Sequence, residues 1–287
     1  MSIGAAPVSA APVTVAPVTV TELQAALRAA WAGQIAAGSK YWSTPAFPPQ
    51  TGPCWALSGQ VLMVVGCHGG AGASTVALAM ALAALESGRS VRLLDCSSAE
   101  RSGLLTAVDA ELGVEPGWRR GRRDRLPIDR VAGVLASTAD VPPPPGEPLG
   151  AVEVTVVDGG WGAAGVLSGG SWLAQAAQSA AVVLVARATI PGFRQLEQAM
   201  AMCCQNPVVA VQGPARWDRS VHATSGPLLL AAHAAGRVVS VPSNRHLAAS
   251  GITSAPLPRG VLEAGRQLFA RAAAAYPQLP QDRPDPR

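Results

Sequence analysis

The chain has 287 residues, of which 49% are hydrophobic and 14% charged, and its formal net charge is +4. Such a chain can bury a large core, which excludes a wholly disordered protein and suits one large α/β domain with appendages. Five cysteines without a CxxC pair or a Cys/His metal spacing argue against a disulfide framework, and no apolar run is long enough to span a bilayer. We therefore expect a cytoplasmic protein, working in solution or at the periphery of the membrane or nucleoid.

Two segments precede the main domain. Residues 1–20 repeat an Ala-Pro-Val theme, in which frequent proline prevents a helix and few bulky groups can build a core, so we predict a disordered tail. Residues 21–58 begin with Thr21 as a helix N-cap and continue with apolar side chains at helical spacing. This pattern predicts one amphipathic helix followed by a Pro- and Gly-rich linker. The helix either packs on the main domain or docks on a partner or a membrane surface.

Apolar strands and alanine-rich helices alternate along residues 59–276. Near-continuous Val and Leu runs predict strands covered on both faces, and the helical crossovers predict an α/β fold with a doubly wound, mostly parallel sheet flanked by helices. The predicted strands cover 61–66, 91–96, 152–160, 180–188, 207–213 and 236–242. The predicted helices cover 75–86, 171–179, 192–204, 226–235 and 259–275. Ligands of such sheets bind at the carboxyl ends of the strands, so we expect one crevice there. The proline-rich residues 277–287 predict a second disordered tail.

An arginine-rich segment interrupts the alternation between residues 113 and 150. It carries the run GWRRGRRDRLPIDR and then four consecutive prolines, which predicts a solvated surface hairpin followed by a stiff linker. A second interpretation is a patch that faces a polyanion, although two interleaved aspartates weaken a nucleic-acid interface. The arginines that would make such a weak contact are Arg119, Arg120, Arg122 and Arg123.

A glycine loop, residues 67–75, joins the first predicted strand to the first helix. It consists of Cys67, His68, Gly69, Gly70, Ala71, Gly72, Ala73, Ser74 and Thr75. Glycines let backbone N–H groups wrap around phosphates, and the following helix adds a partial positive charge. Ser74 stands where a hydroxyl ligates Mg²⁺, but Ala73 stands where a phosphate-binding loop has its lysine. Lys40 is the only lysine of the chain, so no lysine within the domain replaces it.

The loop resembles the deviant Walker A loop of the MinD/ParA family of P-loop ATPases, which is Lys-Gly-Gly-Val-Gly-Lys-Thr-Thr. The three glycines and Thr75 agree with it, and Ser74 is a conservative change. Both lysines differ. His68 replaces the lysine that crosses the family's dimer interface, and Ala73 replaces the lysine inside the loop. A lysine-poor loop is similar to that of the CpaE/TadZ pilus-localisation branch, and a MinD-like protein of a mobile element fits equally well.

The resemblance extends over about residues 60–275 and implies further site residues. It implies that Asp95 is the acid near the metal and the attacking water, and that Asp158, on the Walker B strand, faces the metal. It also implies that Gln212 lies where the family has a base-reading Asn, and that Pro242 and Asn244 lie beside the adenine. The implied magnesium ligands are Ser74, Asp95 and Asp158.

The function that the resemblance implies is binding of ATP or ADP with Mg²⁺ by a positioning or partitioning switch or scaffold. Because both lysines are absent, it implies little or no hydrolysis, with Asp95 as the catalytic candidate. It further implies a homodimer, and a protein partner that the sequence does not identify.

Two alternatives of other classes stay open. The chain could keep only the fold and act as an interaction scaffold without nucleotide, its glycine loop being a bare turn. Alternatively, GCHGGAG followed by LLDC imitates a dinucleotide fingerprint in which Asp95 holds a ribose. A short-chain dehydrogenase would need a Tyr-x-x-x-Lys pair. Neither Tyr41 nor Tyr276 has a lysine four residues later, which removes that mechanism but not bare dinucleotide binding.

Overall fold

The computed structural model describes residues 57–147, 150–203 and 206–275. The predicted tails, 1–20 and 277–287, lie outside these residues, as does all of the predicted helix and linker except its last two residues. Within the described ranges, nine strands form one sheet. The strands are β1 (Gln60–Gly66), β2 (Val91–Asp95), β3 (Ala110–Glu115), β4 (Trp118–Arg123), β5 (Leu126–Val131), β6 (Val154–Asp158), β7 (Ala181–Arg187), β8 (Val208–Gln212) and β9 (Val238–Val241).

The sheet order is β3-β4-β5-β2-β6-β1-β7-β8-β9. From β5 to β9 every neighbouring pair is parallel, whereas β4 runs antiparallel to both of its neighbours. The predicted doubly wound, mostly parallel sheet is therefore confirmed. β1 lies between β6 and β7, so the chain winds outward from it in both directions. Ligands of such sheets bind at this reversal of strand order.

Helices cover both faces of the sheet. The helices of the described residues are α1 (Ala73–Glu86), α2 (Ala163–Ser168), α3 (Trp172–Ser179), α4 (Ile190–Met202), α5 (Arg219–His222), α6 (Pro227–Ala234), α7 (Arg245–Ser250) and α8 (Arg259–Ala275). On one face, α1 and α8 bury alanine, valine and leucine side chains against the strands. Gly265 of α8 permits their close packing, since a Cβ there would lie 2.6 Å from the Ala79 carbonyl oxygen. On the other face α2, α3, α4 and α6 enclose a second apolar cluster.

The arginine-rich segment forms part of the sheet, which corrects the prediction of a solvated surface hairpin. β3 and β4 do form a hairpin, but β5 then pairs with β2 and extends the main sheet. Trp118 is fully buried and donates a 2.7 Å hydrogen bond to the Pro143 carbonyl oxygen. These strands lack the alternation of apolar and polar residues that predicts a strand, because arginines occupy both buried and exposed positions.

Two of the four arginines assigned to a polyanion patch have structural contacts instead. Arg123 is 6% exposed and donates to the carbonyl oxygens of Thr253 and Ala255, at 2.7 and 2.6 Å. Arg120 lies within 2.7 Å of Glu115 and 3.4 Å of Asp129. Only the other two, Arg119 and Arg122, are exposed. The four arginines therefore do not form one exposed patch: side chains alternate along β4, so the two exposed arginines, Arg119 and Arg122, point to opposite faces of the sheet.

Helix length and polarity bear on membrane association. Across residues 57–147, 150–203 and 206–275, every helix is too short or too polar to cross a bilayer.

Candidate functional site

A cavity of about 760 Å³ lies at the carboxyl ends of the parallel strands. Segments that follow β1, β2, β6, β8 and β9, together with the end of β7, converge on it. Most of the predicted site residues lie in its lining, namely His68, Gly69, Gly70, Ala71, Gly72, Ala73, Ser74, Thr75, Asp158, Gln212 and Asn244. Cys67, Asp95 and Pro242 lie outside the lining.

The glycine loop presents unpartnered backbone donors to this cavity. Gly70 and Gly72 adopt φ values of +71° and +94°, a left-handed backbone that strains other residues. Gly72 is also the N-cap of α1, with no side-chain cap and no acidic residue in the first turn. The N–H groups of Ala73, Ser74 and Thr75 have no acceptor among the described residues. Free donors at the N-terminus of a 14-residue helix favour an anion, since the helix dipole adds positive potential there.

Ser74 and Asp158 bring oxygen atoms to the same end of the cavity. Asp158 Oδ1 accepts from the Gly160 N–H at 3.2 Å, whereas its buried Oδ2 has no hydrogen bond of normal geometry to any described residue. The Ser74 hydroxyl is close enough to lower the pKa of this carboxyl. Above Ser74 passes Gly103, where a Cβ would approach the hydroxyl to 2.6 Å. The segment after β2 therefore reaches the hydroxyl only because residue 103 has no side chain.

Asp95 lies behind Asp158 and does not reach the cavity. It is fully buried and accepts hydrogen bonds from the Ser97 N–H at 2.9 Å and the Ser102 hydroxyl at 2.5 Å. Its register neighbours are Asp158 on β6 and Arg130 on β5, which form a buried row across three strands. Asp95 was predicted as a catalytic and metal-ligating residue, but it lies one strand away from Asp158 and outside the lining.

Burial shifts the protonation of both carboxyls in this row. Desolvation, followed by the charge of Asp95, raises the pKa of Asp158 to about 7. Desolvation also raises the pKa of Asp95, although hydrogen bonds from Ser102 and Ser97 and the charge of Arg130 lower it. Two carboxylates that share a dry site repel each other, and a cation between or beside them would relieve both penalties.

The donor set fits a magnesium ion held jointly with phosphates. Mg²⁺ takes oxygen ligands and keeps several waters, so protein sites supply one or two carboxylates together with substrate phosphate oxygens. Ser74 and the orphaned Oδ2 of Asp158 meet this requirement. In the described part of the chain no group of three or more His, Cys, Asp or Glu residues could hold a metal without such help.

His68 is held by the strand beside it. Its Nε2 accepts from the Arg187 N–H at 3.1 Å, and its Nδ1 lies 2.9 Å from the Gly69 carbonyl oxygen. These contacts select the neutral tautomer with the proton on Nδ1. The imidazole thus points toward the end of β7, where its Nε2 is hydrogen-bonded within its own chain.

The remaining predicted residues occupy different surroundings. Gln212 packs against the loop, since a Cβ at Gly72 would meet its side-chain oxygen at 2.8 Å. Asn244 caps α7, accepting from the Leu247 N–H at 3.0 Å. Pro242 is exposed beside Gly260. Cys67 is half-buried, and desolvation raises the pKa of its thiol to about 12.

The sequence analysis did not name as site residues two arginines and a tryptophan of the lining. Arg187 ends β7, Arg101 follows β2, and Trp161 follows β6. Arg101 stacks over the Trp161 ring, 4.5 Å from its centroid, and the indole donates a 2.8 Å hydrogen bond to the Cys96 carbonyl oxygen. The signal available in the sequence was an arginine near a predicted strand end: Arg187 lies just before the end of the strand predicted at 180–188, and Arg101 lies shortly after the strand predicted at 91–96.

Comparisons with known proteins add likenesses of fold. No protein-family model matches the chain, and no curated protein matches it. Similar solved structures include the MinC:MinD cell division protein complex of Aquifex aeolicus, at 14% identity and TM-score 0.49 over 74% of this chain and 96% of that one. Apo McdA of Cyanthece has 13% identity and TM-score 0.48 over 75% and 99%. The cell division ATPase MinD of Pyrococcus furiosus has 17% identity and TM-score 0.46 over 75% and 99%. At such low similarity these structures do not indicate a function, so a function has to be argued from the residues of the cavity.

Proposed function

We propose that the cavity binds ATP or ADP together with Mg²⁺. The proposal depends on one observation: hydrogen-bond donors and a carboxylate oxygen, all without hydrogen-bond partners among the described residues, lie in the lining of the same cavity. Free N–H donors of the glycine loop, an anion-binding feature, lie in the same cavity as the orphaned Asp158 Oδ2, a cation-binding feature. A magnesium-bound polyphosphate satisfies both at once. The volume of about 760 Å³ falls within the range usual for small-molecule sites.

The residues divide the work of holding such a ligand. The free N–H groups of Ala73, Ser74 and Thr75 bind phosphate oxygens, while Ser74 Oγ and Asp158 hold Mg²⁺. The ion supplies charge neutralisation to the phosphates when it is bound. Gln212 and Asn244 border the same space and contact the rest of the nucleotide.

Hydrolysis is slow or absent in this proposal. Phosphoryl transfer requires positive charge where negative charge develops and a positioned water. Ala73 supplies no charge, and Asp95 lies outside the lining with its oxygens bonded to Ser97 and Ser102. The protein therefore acts as a nucleotide-dependent positioning switch or scaffold, because its site retains the nucleotide rather than turning it over.

Assembly follows from the same site. We propose a homodimer that depends little on ATP, because His68 is bonded to Arg187 of its own chain and does not replace a lysine reaching across an interface. We also propose a protein partner on which the switch acts, and co-purification would identify it.

A paired substitution tests nucleotide binding. A Cβ at Gly69, which lines the cavity, would meet no atom of the protein within 4 Å, so we expect Gly69→Leu to obstruct the cavity while the fold is kept. Gly133 is equally open and lies outside the lining, which makes Gly133→Leu the matched control. Titration with a fluorescent ATP analogue should show saturable binding to the unmodified protein and to the control, and a large loss in Gly69→Leu. Binding by none of the three proteins would favour a scaffold that keeps only the fold, and equal binding by all three would show that the nucleotide does not occupy this cavity.

A further inference from the structure

The charged side chains of the cavity lining are few. They are Arg101, Asp158 and Arg187, and the only lysine of the sequence, Lys40, lies outside the described residues. Two arginines against one aspartate make the charged side chains of the lining cationic on balance. The cavity therefore contains positive charge although the loop lysine is absent.

We propose that Arg101 and Arg187 bind the polyphosphate of the nucleotide and together replace the absent lysines. This inference rests on the proposed nucleotide binding and assigns its phosphate contacts. A guanidinium presents a planar fork of N–H donors that matches two phosphate oxygens, and it stays charged at every physiological pH. Two such groups suit a ligand with several phosphates.

Arg187 is placed beside the glycine loop by the sheet. β7 pairs with β1 so that Val185 is opposite Gly66, which carries the chain past the loop two residues later. The hydrogen bond from the Arg187 N–H to His68 fixes this backbone at 3.1 Å. The side chain is exposed, and its guanidinium makes no hydrogen bond or ion pair with any described residue. A cation that lines a cavity and has no internal partner is available to a ligand.

Arg101 reaches the cavity from the other side of β1. It ends a 3₁₀ turn (Ala99–Arg101) in the segment that continues to Gly103 above the Ser74 hydroxyl. The Trp161 ring supports its guanidinium at 4.5 Å and leaves the N–H edge free for a phosphate. Its one ion pair is with the neighbouring Glu100 at 3.7 Å, between half-exposed side chains, where such pairs contribute little.

The two arginines therefore flank the loop from opposite strands. β7 lies on one side of β1, whereas β2 lies beyond β6 on the other. His68 links the loop to the first arginine, and the stack on Trp161 links the second to the loop after β6. Phosphate binding by both would join the segments after β2, β6 and β7, which is the coupling a nucleotide-dependent switch requires.

Calorimetry with AMP, ADP and ATP in the presence of Mg²⁺ tests this assignment. Arg101→Gln and Arg187→Gln should each weaken ATP binding by about ten- to a hundredfold, the loss of one charge-assisted contact. AMP affinity should change least, so the gain in affinity with each added phosphate should shrink in the double variant. Arg101→Lys and Arg187→Lys should bind ATP better than the glutamine variants, because the charge is kept.

Two other arginines provide the controls. Arg89 is about as exposed as Arg101 and pairs with Glu153 near the opposite end of the strands, and Arg194 is exposed on α4 close to Arg187 in sequence. Arg89→Gln and Arg194→Gln should bind ATP as the unmodified protein does, with melting temperatures confirming that every variant folds. If the unmodified protein binds ATP and the four glutamine variants bind it equally well, the arginine assignment is overturned and nucleotide binding stands. If the unmodified protein binds none of the nucleotides, both proposals fail.

Discussion

Asp95 and Asp158 are register partners at the carboxyl ends of two adjacent parallel strands, and both are fully buried. Nothing in the described part of the chain bonds to Asp158 Oδ2, and burial raises the pKa of both carboxyls. Two buried acids in contact destabilise the fold when both are charged, so the pair is retained at a cost in stability. Such a cost is typical of residues kept for ligand binding.

The first prediction concerns the pH dependence of stability. The folded pKa of Asp158, about 7, exceeds the ordinary value of 3.8, so the folded state holds its proton more tightly than the unfolded state. The stability linked to this proton is complete below the unfolded pKa and is lost as pH rises toward 7. Asp158→Asn should therefore stabilise the ligand-free protein by about 1–3 kcal/mol at about pH 8, and much less at about pH 5.

Thermal unfolding at the two pH values measures this difference. Asp124→Asn is the control, because Asp124 is exposed and its φ of +50° suits asparagine. A destabilised Asp158→Asn protein at the higher pH would contradict the account of a repulsive, desolvated pair.

The second prediction separates structural from solvated arginines on β4. Arg123→Ala should destabilise the fold by about 2–4 kcal/mol, because it removes a buried cation and leaves the carbonyl oxygens of Thr253 and Ala255 without donors. Arg122 is exposed on the same strand, so Arg122→Ala should change the free energy of unfolding by less than about 0.5 kcal/mol. Denaturant unfolding of the two variants gives the comparison, and equal effects would show that the Arg123 contacts contribute nothing.

A third prediction limits the polyanion surface to two residues. Only Arg119 and Arg122 remain exposed of the four proposed, so binding to heparin or DNA should be weak and should decline with salt. Two phosphate contacts correspond to a slope of about −2 for the logarithm of the affinity against the logarithm of the salt concentration. The Arg119→Ala, Arg122→Ala double variant should lose this binding. Unchanged binding in that variant would place the contact elsewhere.

A fourth prediction concerns the missing lysine. Ala73 opens α1 and lines the cavity, so Ala73→Lys adds a cation where phosphates are proposed to lie. ATP binding should tighten by about ten- to a hundredfold, as measured by calorimetry. Unchanged or weaker ATP binding would show that the phosphates do not reach residue 73.

Turnover provides a separate check on the role of Asp95. The unmodified protein should hydrolyse ATP at or near the background rate, and Ala73→Lys should add at most a trace of activity. Sustained turnover by the unmodified protein that disappears in Asp95→Ala would contradict the proposal, since it would require Asp95 to reach the nucleotide and position water.

The fold was largely predictable because its strands are unbroken apolar runs. The first strand was predicted at 61–66 and lies at Gln60–Gly66, and the helix predicted at 75–86 begins two residues earlier, at Ala73. The short helix Ala163–Ser168 was not predicted, since six residues carry too little periodicity. β3 to β5 were not predicted, because their sequences contain many arginines and lack a continuous apolar run. Contacts of these arginines with neighbouring segments, such as those of Arg123 with Thr253 and Ala255, are visible only in the structure.

The candidate site was less predictable than the fold. The glycine loop can be recognised in the sequence because it is a contiguous motif. That Arg101 and Arg187 lie near it, however, depends on the strand order β2-β6-β1-β7. A sequence orders these strands along the chain and does not show which of them are neighbours. The same limit applies to Asp95, whose strand-end position suggested access to the crevice, whereas its hydrogen bonds to Ser97 and Ser102 turn it inward.

The central claim is that the cavity binds a magnesium-bound adenine nucleotide, and calorimetric titration of the unmodified protein with Mg-ATP tests it most directly. The account predicts saturable heat with a Kd in the micromolar range or weaker, corresponding to roughly −8 kcal/mol or less in magnitude. It also predicts weaker heat when Mg²⁺ is removed by a chelator, because Ser74 and Asp158 then lose the ion between them and the phosphates. Absence of heat with millimolar ATP, ADP and GTP in the presence of Mg²⁺ would contradict it.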